Sequence, residues 1–339
     1  MVKLISSLPR QWFENWPNMK LYPWAMHPAL LDTLDKEIFQ QIPLKTVWDT
    51  FPDCKNITFI RHLESKYNEY KNVVKNEDIY KQFMIETDQK KKYELSLELL
   101  KHYRDNVGTD PQTNISEHGK QQGEILWKLY AKLIKQHPEI FPSLIVVSPY
   151  LRTRLTANYF LKHIEWLDLD INKIITKENK QDMFLWSFQG KDVILKLSDE
   201  IRERDHGKDV APQYLTEYYA LQNPLHTLGS ISEDEEDELY YYTAPNGGES
   251  QVQVNQRIKQ VLYSLMSEKY NNILVVSHHL AVLAAMNNIF AGTINTFQNF
   301  DNNWKPANGS MTVFSQLPET ESGQKDKLRV SAYNTILTE

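Results

Sequence analysis

The chain has 339 residues, of which 41% are hydrophobic and 24% are charged, and its formal net charge is −6. Such a chain lacks the basic excess that nucleic acid or an anionic membrane would require, so neither is expected as a partner. No apolar run approaches the roughly 18 residues of a membrane span, and the apolar stretch at the start is too short for a secretory signal. The single Cys54 excludes an internal disulfide and fits a reducing compartment. We therefore expect a cytoplasmic protein with one large domain or two small ones.

Residues 1–54 form an extension that precedes the first predicted strand and is rich in aromatic residues and proline. Its four tryptophans are Trp12, Trp16, Trp24 and Trp48. Because disordered segments are poor in aromatic residues, the extension is predicted to be an irregular arm packed on the core, which comprises residues 55–339. A homodimer contact or a cover over a pocket is the alternative interpretation.

Beyond the extension, short apolar runs that predict buried strands alternate with stretches of helical periodicity. The predicted strands cover residues 57–60, 144–147, 273–276, 311–314 and 328–330. Helices are predicted over residues 78–105, 118–136 and 152–163. Continuous apolar runs with helices between them are typical of a parallel sheet whose two faces are both covered. The predicted fold class is therefore α/β.

Histidine or arginine follows three of the predicted strands. Arg61 and His62 follow the first of these strands, and His278 follows the strand at 273–276. Arg152 lies just beyond the strand at 144–147. In an open α/β sheet the ligand crevice lies beyond the carboxyl ends of the strands. Two imidazoles and two guanidiniums gathered there would form a site for a phosphate.

Six short motifs follow one another between about residues 55 and 316. The first is Arg-His-Leu-Glu-Ser at residues 61–65, with Asn68 three positions later. A longer one, Ser-Pro-Tyr-Leu-Arg-Thr-Arg-Leu-Thr-Ala, occupies residues 148–157. The others lie at residues 113–122, 203–207 (Glu-Arg-Asp-His-Gly), 245–250 (Pro-Asn-Gly-Gly-Glu-Ser) and 277–278 (Ser-His). In this order they resemble the motifs of the histidine phosphatase superfamily.

The resemblance implies the phosphoglycerate-mutase-like fold, a three-layer α/β/α arrangement with a mostly parallel central sheet. Residues 55–339 would form this domain, interrupted by insertions at about residues 69–112, 164–190 and 208–244. In this architecture, insertions over the mouth of the active site would set the specificity.

The resemblance further implies that His62 attacks phosphorus and holds the phosphoryl group as phosphohistidine. A neutral imidazole can act in this way and divides one difficult step into two; its other ring nitrogen is expected to donate to a backbone carbonyl. Arg61 and Arg152 would grip phosphoryl oxygens with planar, permanently charged forks. His278 would donate to the group in transfer.

By the same resemblance, Glu203 protonates the leaving oxygen and later activates water. The residue must be protonated during part of the cycle, which requires a raised pKa. Glu200 and Asp205 lie close by in the sequence and remain alternative candidates for the acid.

Asn68, Ser65 and Arg204 are expected to contact the substrate, although Arg204 could instead support the loop that carries Glu203. No cofactor is expected. The sequence contains no His-Glu-x-x-His motif and no paired cysteines that would indicate a metal site. A metal is not required either, because the two guanidiniums can neutralise the phosphate.

Leu63 is the main departure from the family pattern, which has glycine at this position. Leucine fits only if its φ is negative and its side chain has space, and it could narrow the pocket or slow turnover. One alternative is therefore a weakly catalytic scaffold that binds a phosphorylated ligand. Another is a phosphotransferase of the phosphoglycerate mutase type, although Asp205 and His206 depart from the His-Tyr of that group.

The sequence thus predicts a phosphoric monoester hydrolase that works without metal. Its expected partner is a small phosphorylated substrate or a phosphoprotein.

Overall fold

The structure is a computed structural model that describes residues 41–43, 55–163, 183–188, 191–205, 248–290, 297, 305–316 and 328–338. Most of the predicted extension and the predicted insertion at 208–244 lie outside the described residues. So does the greater part of the region at 164–190.

Eight strands and seven α-helices lie within this described part of the chain. The strands are β1 (Gln41–Pro43), β2 (Asn56–Arg61), β3 (Leu144–Val147), β4 (Met183–Phe188), β5 (Lys191–Leu197), β6 (Asn272–Ser277), β7 (Met311–Gln316) and β8 (Leu328–Thr338). The helices are α1 (Lys66–Val73), α2 (Asp78–Ile85), α3 (Gln89–Val107), α4 (Glu117–Gln136), α5 (Leu151–His163), α6 (Gln251–Ser267) and α7 (His279–Ile289). None of the helices described here is long and apolar enough to cross a membrane.

The strands form one sheet in the order β1-β8-β7-β2-β6-β3-β5-β4. Its centre is parallel, because β6 pairs in parallel with both β2 and β3, and β3 pairs in parallel with β5. Antiparallel pairs flank this centre, where β7 joins β2 and β4 joins β5. The carboxyl ends of β2, β6 and β3 therefore meet at one edge of the sheet, with Arg61 opposite Ser277 in the register.

Helices cover both faces of the sheet, and alternate residues of each central strand enter two different cores. Ile145 and Val147 of β3 belong to the cluster that contains α4 and α5. Leu144 and Val146 belong to the cluster that contains α6 and α7. This alternation follows from the two-residue period of a strand. The predicted three-layer α/β/α fold with a mostly parallel central sheet is confirmed.

Helices α1 to α3 form a small unit with its own apolar cluster, which includes Tyr70, Phe83 and Tyr103. The helical prediction over residues 78–105 is confirmed apart from one break, because α2 ends at Ile85 and α3 begins at Gln89. The side chain of Asp88 accepts a hydrogen bond from the backbone N–H of Lys91 and so begins a new helix. Aspartate favours this capping position over a helix interior.

Three strands, β1, β4 and β5, lie where none was predicted. β4 falls within the predicted insertion at 164–190 and pairs antiparallel with β5, so the end of that insertion extends the sheet. β8 is also longer than predicted, since it continues from Leu328 to Thr338.

The side chain of Leu63 is fully buried and belongs to the core between the sheet and helices α4 and α5. Two glycines leave it space. A Cβ atom on Gly123 would lie 2.7 Å from Leu63 Cδ1, and one on Gly309 would lie 3.3 Å from Leu63 Cδ2. The leucine at the family's glycine position therefore packs into the core.

Gly123→Ala should lower the free energy of unfolding by about 1–3 kcal/mol, because the added methyl overpacks the contact with Leu63. Leu63→Ala should itself cost about 2–5 kcal/mol through the cavity it leaves. In the Leu63→Ala background the cost of Gly123→Ala should fall, since the nearest clashing atom is gone. Urea unfolding of the four proteins measures this coupling. Ile125→Ala, at an exposed position on the same helix, is the control, and strictly additive costs would contradict the packing argument.

Candidate active site

His62 lies one residue beyond the end of β2 and is 3% exposed. Its backbone N–H donates to the carbonyl of Ser277 at 2.9 Å, and its own carbonyl accepts from Asn308 Nδ2 at 3.0 Å. Its ring Nδ1 lies 2.7 Å from the carbonyl oxygen of Leu63. Because a carbonyl oxygen can only accept, Nδ1 carries the ring proton. Nε2 then holds the lone pair, and Arg152 Nε donates to it at 3.3 Å.

The electrostatic surroundings keep His62 uncharged. Burial lowers the pKa of His62 well below its usual value, and the positive charges of Arg152 and Arg61 lower it further. Near neutral pH the ring is therefore neutral, with its lone pair on Nε2. This is the form of imidazole that can act as a nucleophile.

His278 follows β6 and is completely buried beside His62. The two ring centroids lie 5.3 Å apart and the ring planes meet at 61°. Ser148 Oγ lies 2.8 Å from His278 Nε2. Burial, followed by the charge of Arg152, lowers the pKa of His278 well below its usual value. His278 Nδ1 has no hydrogen-bond partner among the residues described. In the tautomer in which Nε2 accepts from the Ser148 hydroxyl, Nδ1 carries the ring proton and is free to donate.

Arg152 lies in the first turn of α5 and is 2% exposed. Its Nη1 donates to the backbone carbonyl of Asp110 at 2.7 Å and lies 2.9 Å from Asp110 Oδ1. Its Nη2 donates to Asp110 Oδ2 at 3.4 Å. The Tyr150 ring lies against the guanidinium, with 5.0 Å between the ring centroid and Cζ. The same ring meets His278 edge-on at 5.0 Å, so Tyr150 forms one wall of the site.

Arg61, the last residue of β2, is half-buried at the same edge of the sheet. Its Nη1 donates to the carbonyl of Pro306. Its charge helps to lower the pKa values of both His62 and His278. The site therefore contains two guanidiniums close to two neutral imidazoles.

Glu203 follows a short 3₁₀ turn, Asp199–Ile201, and is half-buried. Its Oε1 accepts from the backbone N–H of Arg204 at 3.1 Å. Burial raises the pKa of Glu203, although the charge of Arg152 opposes this effect. A raised pKa suits a group that must both give and take a proton. Glu200, one of the alternative acids, is exposed.

Glu249 fixes the loop that carries Glu203. Its carboxylate forms a two-point ion pair with Arg257, at 3.1 and 2.9 Å, and a further one with Arg202 at 2.8 Å. Its backbone N–H donates to the carbonyl of Asp205 at 2.8 Å. Arg204 is fully buried, and its Nε donates to the carbonyl of Glu249 at 2.6 Å. This contact supports a role for Arg204 in holding the loop, the alternative that the sequence left open.

Ser65 and Asn68 form a capping box at the start of α1. Ser65 Oγ accepts from the backbone N–H of Asn68 at 3.3 Å, and Asn68 Oδ1 accepts from the backbone N–H of Ser65 at 3.0 Å. Asn308 Nδ2 also donates to Asn68 Oδ1, at 3.3 Å. Both residues predicted to bind substrate thus fix the helix that follows the nucleophile motif. Because these contacts use the side-chain oxygen of Asn68, its amide nitrogen is the atom suited to meet a phosphoryl oxygen.

The structure brings together five residues that the sequence predicts to be catalytic: Arg61, His62, Arg152, Glu203 and His278. Sequence reasoning missed Asp110, Ser148, Tyr150 and Glu249 as parts of this arrangement. Three of these four lie inside or beside matched motifs, so the motifs carried a signal for them. Asp110 lies in a predicted insertion, where no sequence motif indicated a role for it. Among the described residues there is no cluster of three or more His, Cys, Asp or Glu side chains that could hold a metal ion.

Comparison with solved structures finds phosphatases of low sequence identity. A mycobacterial glucosyl-3-phosphoglycerate phosphatase is 15% identical, with a TM-score of 0.48, over 83% of this chain and 99% of that one. A putative α-ribazole-5′-P phosphatase from Escherichia coli is 13% identical, with a TM-score of 0.47, over 85% and 100% of the two chains. A phosphoserine phosphatase from Entamoeba histolytica is 14% identical, with a TM-score of 0.44, over 83% and 96%.

A search of curated proteins gives no match. A family model described as "Histidine phosphatase superfamily (branch 1)" matches residues 189–325. This range includes Glu203 and His278. Arg61, His62 and Arg152 precede it in the sequence, and the fold brings them close to these two residues. The match supports an enzyme of phosphoryl transfer or hydrolysis. The resemblance predicted from the motifs is therefore confirmed over residues 189–325, the part of the chain that matches the histidine phosphatase superfamily model.

Proposed function

We propose that the protein is a metal-independent phosphatase that hydrolyses a phosphomonoester through a phosphohistidine on His62. One observation carries the proposal. The buried, neutral ring of His62 donates from Nδ1 to a backbone carbonyl and presents the lone pair of Nε2 beside the guanidinium of Arg152. The candidate nucleophile is thus in the correct tautomer, and the guanidinium that would bind phosphoryl oxygens lies beside its Nε2 atom.

In the first half of the proposed cycle, Arg61 and Arg152 neutralise the phosphoryl oxygens and Nδ1 of His278 donates to one of them. His62 Nε2 attacks phosphorus in line with the leaving oxygen, so a P–N bond forms as the P–O bond breaks. Protonated Glu203 gives its proton to that oxygen, and the alcohol departs. Catalysis rests mainly on positioning and on fixed positive charge, as is general for phosphoryl transfer.

In the second half, water attacks the phosphorus of the phosphohistidine while the Glu203 carboxylate takes a proton from it. The P–N bond breaks, its electron pair returns to His62 Nε2, and inorganic phosphate leaves. Glu203 is protonated again and the site is restored. The guanidiniums neutralise the phosphoryl charge throughout, so no step needs a metal.

The proposed substrate class is a small phosphorylated molecule or a phosphoprotein. A cytoplasmic location belongs to the same proposal, since a single cysteine suits a reducing compartment. Neither nucleic acid nor membrane is proposed as a partner, and a homodimer remains a proposal for the role of the extension.

The experiment that tests this function is a panel of phosphomonoesters assayed with a chelator and without added metal. We expect release of inorganic phosphate from at least one member. Incubation with 3-phosphoglycerate should yield little 2-phosphoglycerate, with or without a bisphosphate primer. Fast, primer-dependent isomerisation with negligible phosphate release would show a mutase-type phosphotransferase. Binding of phosphate without any turnover would show a scaffold.

Glu203→Gln should slow hydrolysis of alkyl phosphates far more than that of p-nitrophenyl phosphate, by about 10²-fold or more on the alkyl esters. The nitrophenolate leaving group needs little help from a proton, whereas an alkoxide needs one to depart. The measurement is kcat/KM for both esters in each variant, because this ratio reports the first half of the cycle, in which the leaving group departs, and not the hydrolysis of the phosphohistidine that both esters share. Glu200→Gln is the matched control on the same loop and should change neither rate. Equal losses on both esters for Glu203→Gln would assign the acid role to another residue.

A further inference from the structure

Asp110 is a charged residue that contacts Arg152 at the site and lies outside the family motifs. It begins the 3₁₀ turn Asp110–Gln112, which follows α3 at the end of the predicted insertion at 69–112. Its backbone carbonyl and its carboxylate both contact the guanidinium of Arg152. The arginine side chain is 3% exposed and that of Asp110 is 20% exposed, so the pair is largely withdrawn from water.

These contacts divide the guanidinium into two edges. Asp110 occupies the edge formed by Nη1 and Nη2, through its carbonyl oxygen at 2.7 Å and its carboxylate oxygens at 2.9 and 3.4 Å. The other edge, which carries Nε–H and the second N–H of Nη2, faces His62, and Nε lies 3.3 Å from His62 Nε2. A guanidinium is planar and rigid, so fixing one edge fixes the direction of the other.

We propose that Asp110 is a positioning residue for the phosphoryl group: it holds Arg152 so that the Nε edge meets phosphoryl oxygens at His62 Nε2. This inference rests on the proposed function and assigns a part of it to the insertion. A paired fork matches two phosphoryl oxygens only when its plane is correctly directed. A displacement of about 1 Å in such a contact can cost about 10²-fold in rate.

Asp110 and a phosphate can bind Arg152 at the same time, because they use different edges. When no phosphate is bound, the Asp110 carboxylate is the anion that balances the charge of the buried guanidinium. A buried charge without a partner is strongly unfavourable. When phosphate is bound, the guanidinium lies between the phosphate and the Asp110 carboxylate, and its positive charge reduces the repulsion between them.

The test compares Asp110→Asn, Asp110→Ala and Asp110→Glu with the wild-type protein. Turnover of p-nitrophenyl phosphate gives kcat and KM, and titration calorimetry gives the affinities for orthovanadate and inorganic phosphate. Asp110→Asn, which keeps an acceptor and the backbone carbonyl, should lower kcat about 10-fold. Asp110→Ala should lower it about 10²-fold, with KM changed by less than about 3-fold. Orthovanadate, as a transition-state analogue, should lose affinity in step with kcat.

Asp110→Glu restores the charge and should recover part of the loss of the alanine variant, which a residue needed only for folding would not predict. Asp78→Asn, at an exposed aspartate of the same helical unit, is the control and should match the wild type. Thermal unfolding of each variant separates misplacement of Arg152 from loss of fold. Wild-type kcat in Asp110→Asn, or tighter binding of inorganic phosphate in that variant, would overturn the inference.

The two proposals fail in different ways. A wild-type protein that hydrolyses phosphomonoesters, together with fully active Asp110 variants, would remove only the role of Asp110. A wild-type protein that binds phosphate without turnover would remove the proposed phosphatase, and the phosphate affinities of the variants would still decide the role of Asp110. A wild-type protein that neither binds phosphate nor hydrolyses its esters would remove both.

Discussion

His62→Ala should lose at least about 10⁴-fold in kcat, the size of loss expected when a covalent nucleophile is removed. No other imidazole in the described site presents a lone pair to Arg152 as His62 Nε2 does. With labelled substrate and a denaturing quench, the wild-type protein should carry phosphate on the peptide that contains His62. That phosphate should be labile to acid and stable to base, as a phosphohistidine is. The alanine variant should carry none.

Two controls sharpen this result. His137→Ala removes an imidazole at the far end of α4, outside the site, and should leave both turnover and labelling unchanged. His62→Asn fills most of the volume of the ring and tests whether the loss comes from the missing nucleophile or from a collapsed pocket. Substantial turnover in either His62 variant, or phosphate trapped on another residue, would contradict the mechanism.

Arg152→Lys should lose about 10²-fold or more in kcat, comparable to the removal of one oxyanion donor. Lysine keeps the positive charge but has no planar fork, so it cannot hold Asp110 on one edge and phosphoryl oxygens on the other. The loss should appear in kcat and in orthovanadate affinity together. Arg154→Lys, two residues along the same helix, is the matched control and should retain wild-type turnover.

A near-normal rate in Arg152→Lys would mean that charge alone suffices. In that case the direction of the two guanidinium edges would not matter for catalysis, and the positioning role proposed for Asp110 would be contradicted as well.

The sequence predicts the central sheet well, and it also predicts that the candidate site residues lie at one edge of that sheet, for a physical reason. Buried strands are short continuous apolar runs, and the residues that follow them in a parallel sheet must meet at one edge. The runs before Arg61, Ser148 and His278 therefore predict that three motifs lie together. The edge strand β4 escaped prediction although residues 183–186 form such a run, because it lies in a segment interpreted as an insertion. In β5 the continuous apolar run, residues 193–195, is only three residues long.

Contacts between distant segments could not be predicted in this way. Asp110 and Arg152 are 42 residues apart, and Ser148 and His278 are 130 apart. No local pattern specifies either pair, because each arises from the packing of separate elements on the sheet. The break between α2 and α3 is different: Asp88 is a good N-cap residue, and that signal was present in the sequence.

Ser65 and Asn68 show how a motif can combine two kinds of information. Their spacing matches the family motif, and it is also the spacing of a helix cap, which the structure shows in full. The resemblance suggested substrate contacts, whereas the local hydrogen bonds show that both residues first fix α1 behind the nucleophile.

The buried imidazoles of His62 and His278 also make the stability of the folded state depend on pH. Their pKa values are lowered by burial, so below a pH of about 6.5 the unfolded chain binds protons that the folded one excludes. Stability should therefore fall as the pH drops through this range, by up to about 1.4 kcal/mol per pH unit for each ring. Glu203 acts in the opposite sense over its own range, because its raised pKa favours the folded state at lower pH. Acid should therefore destabilise the folded protein in part through these two rings, and the neutral state of His62 that the proposed mechanism requires is one that the folded protein maintains at a cost in stability at low pH.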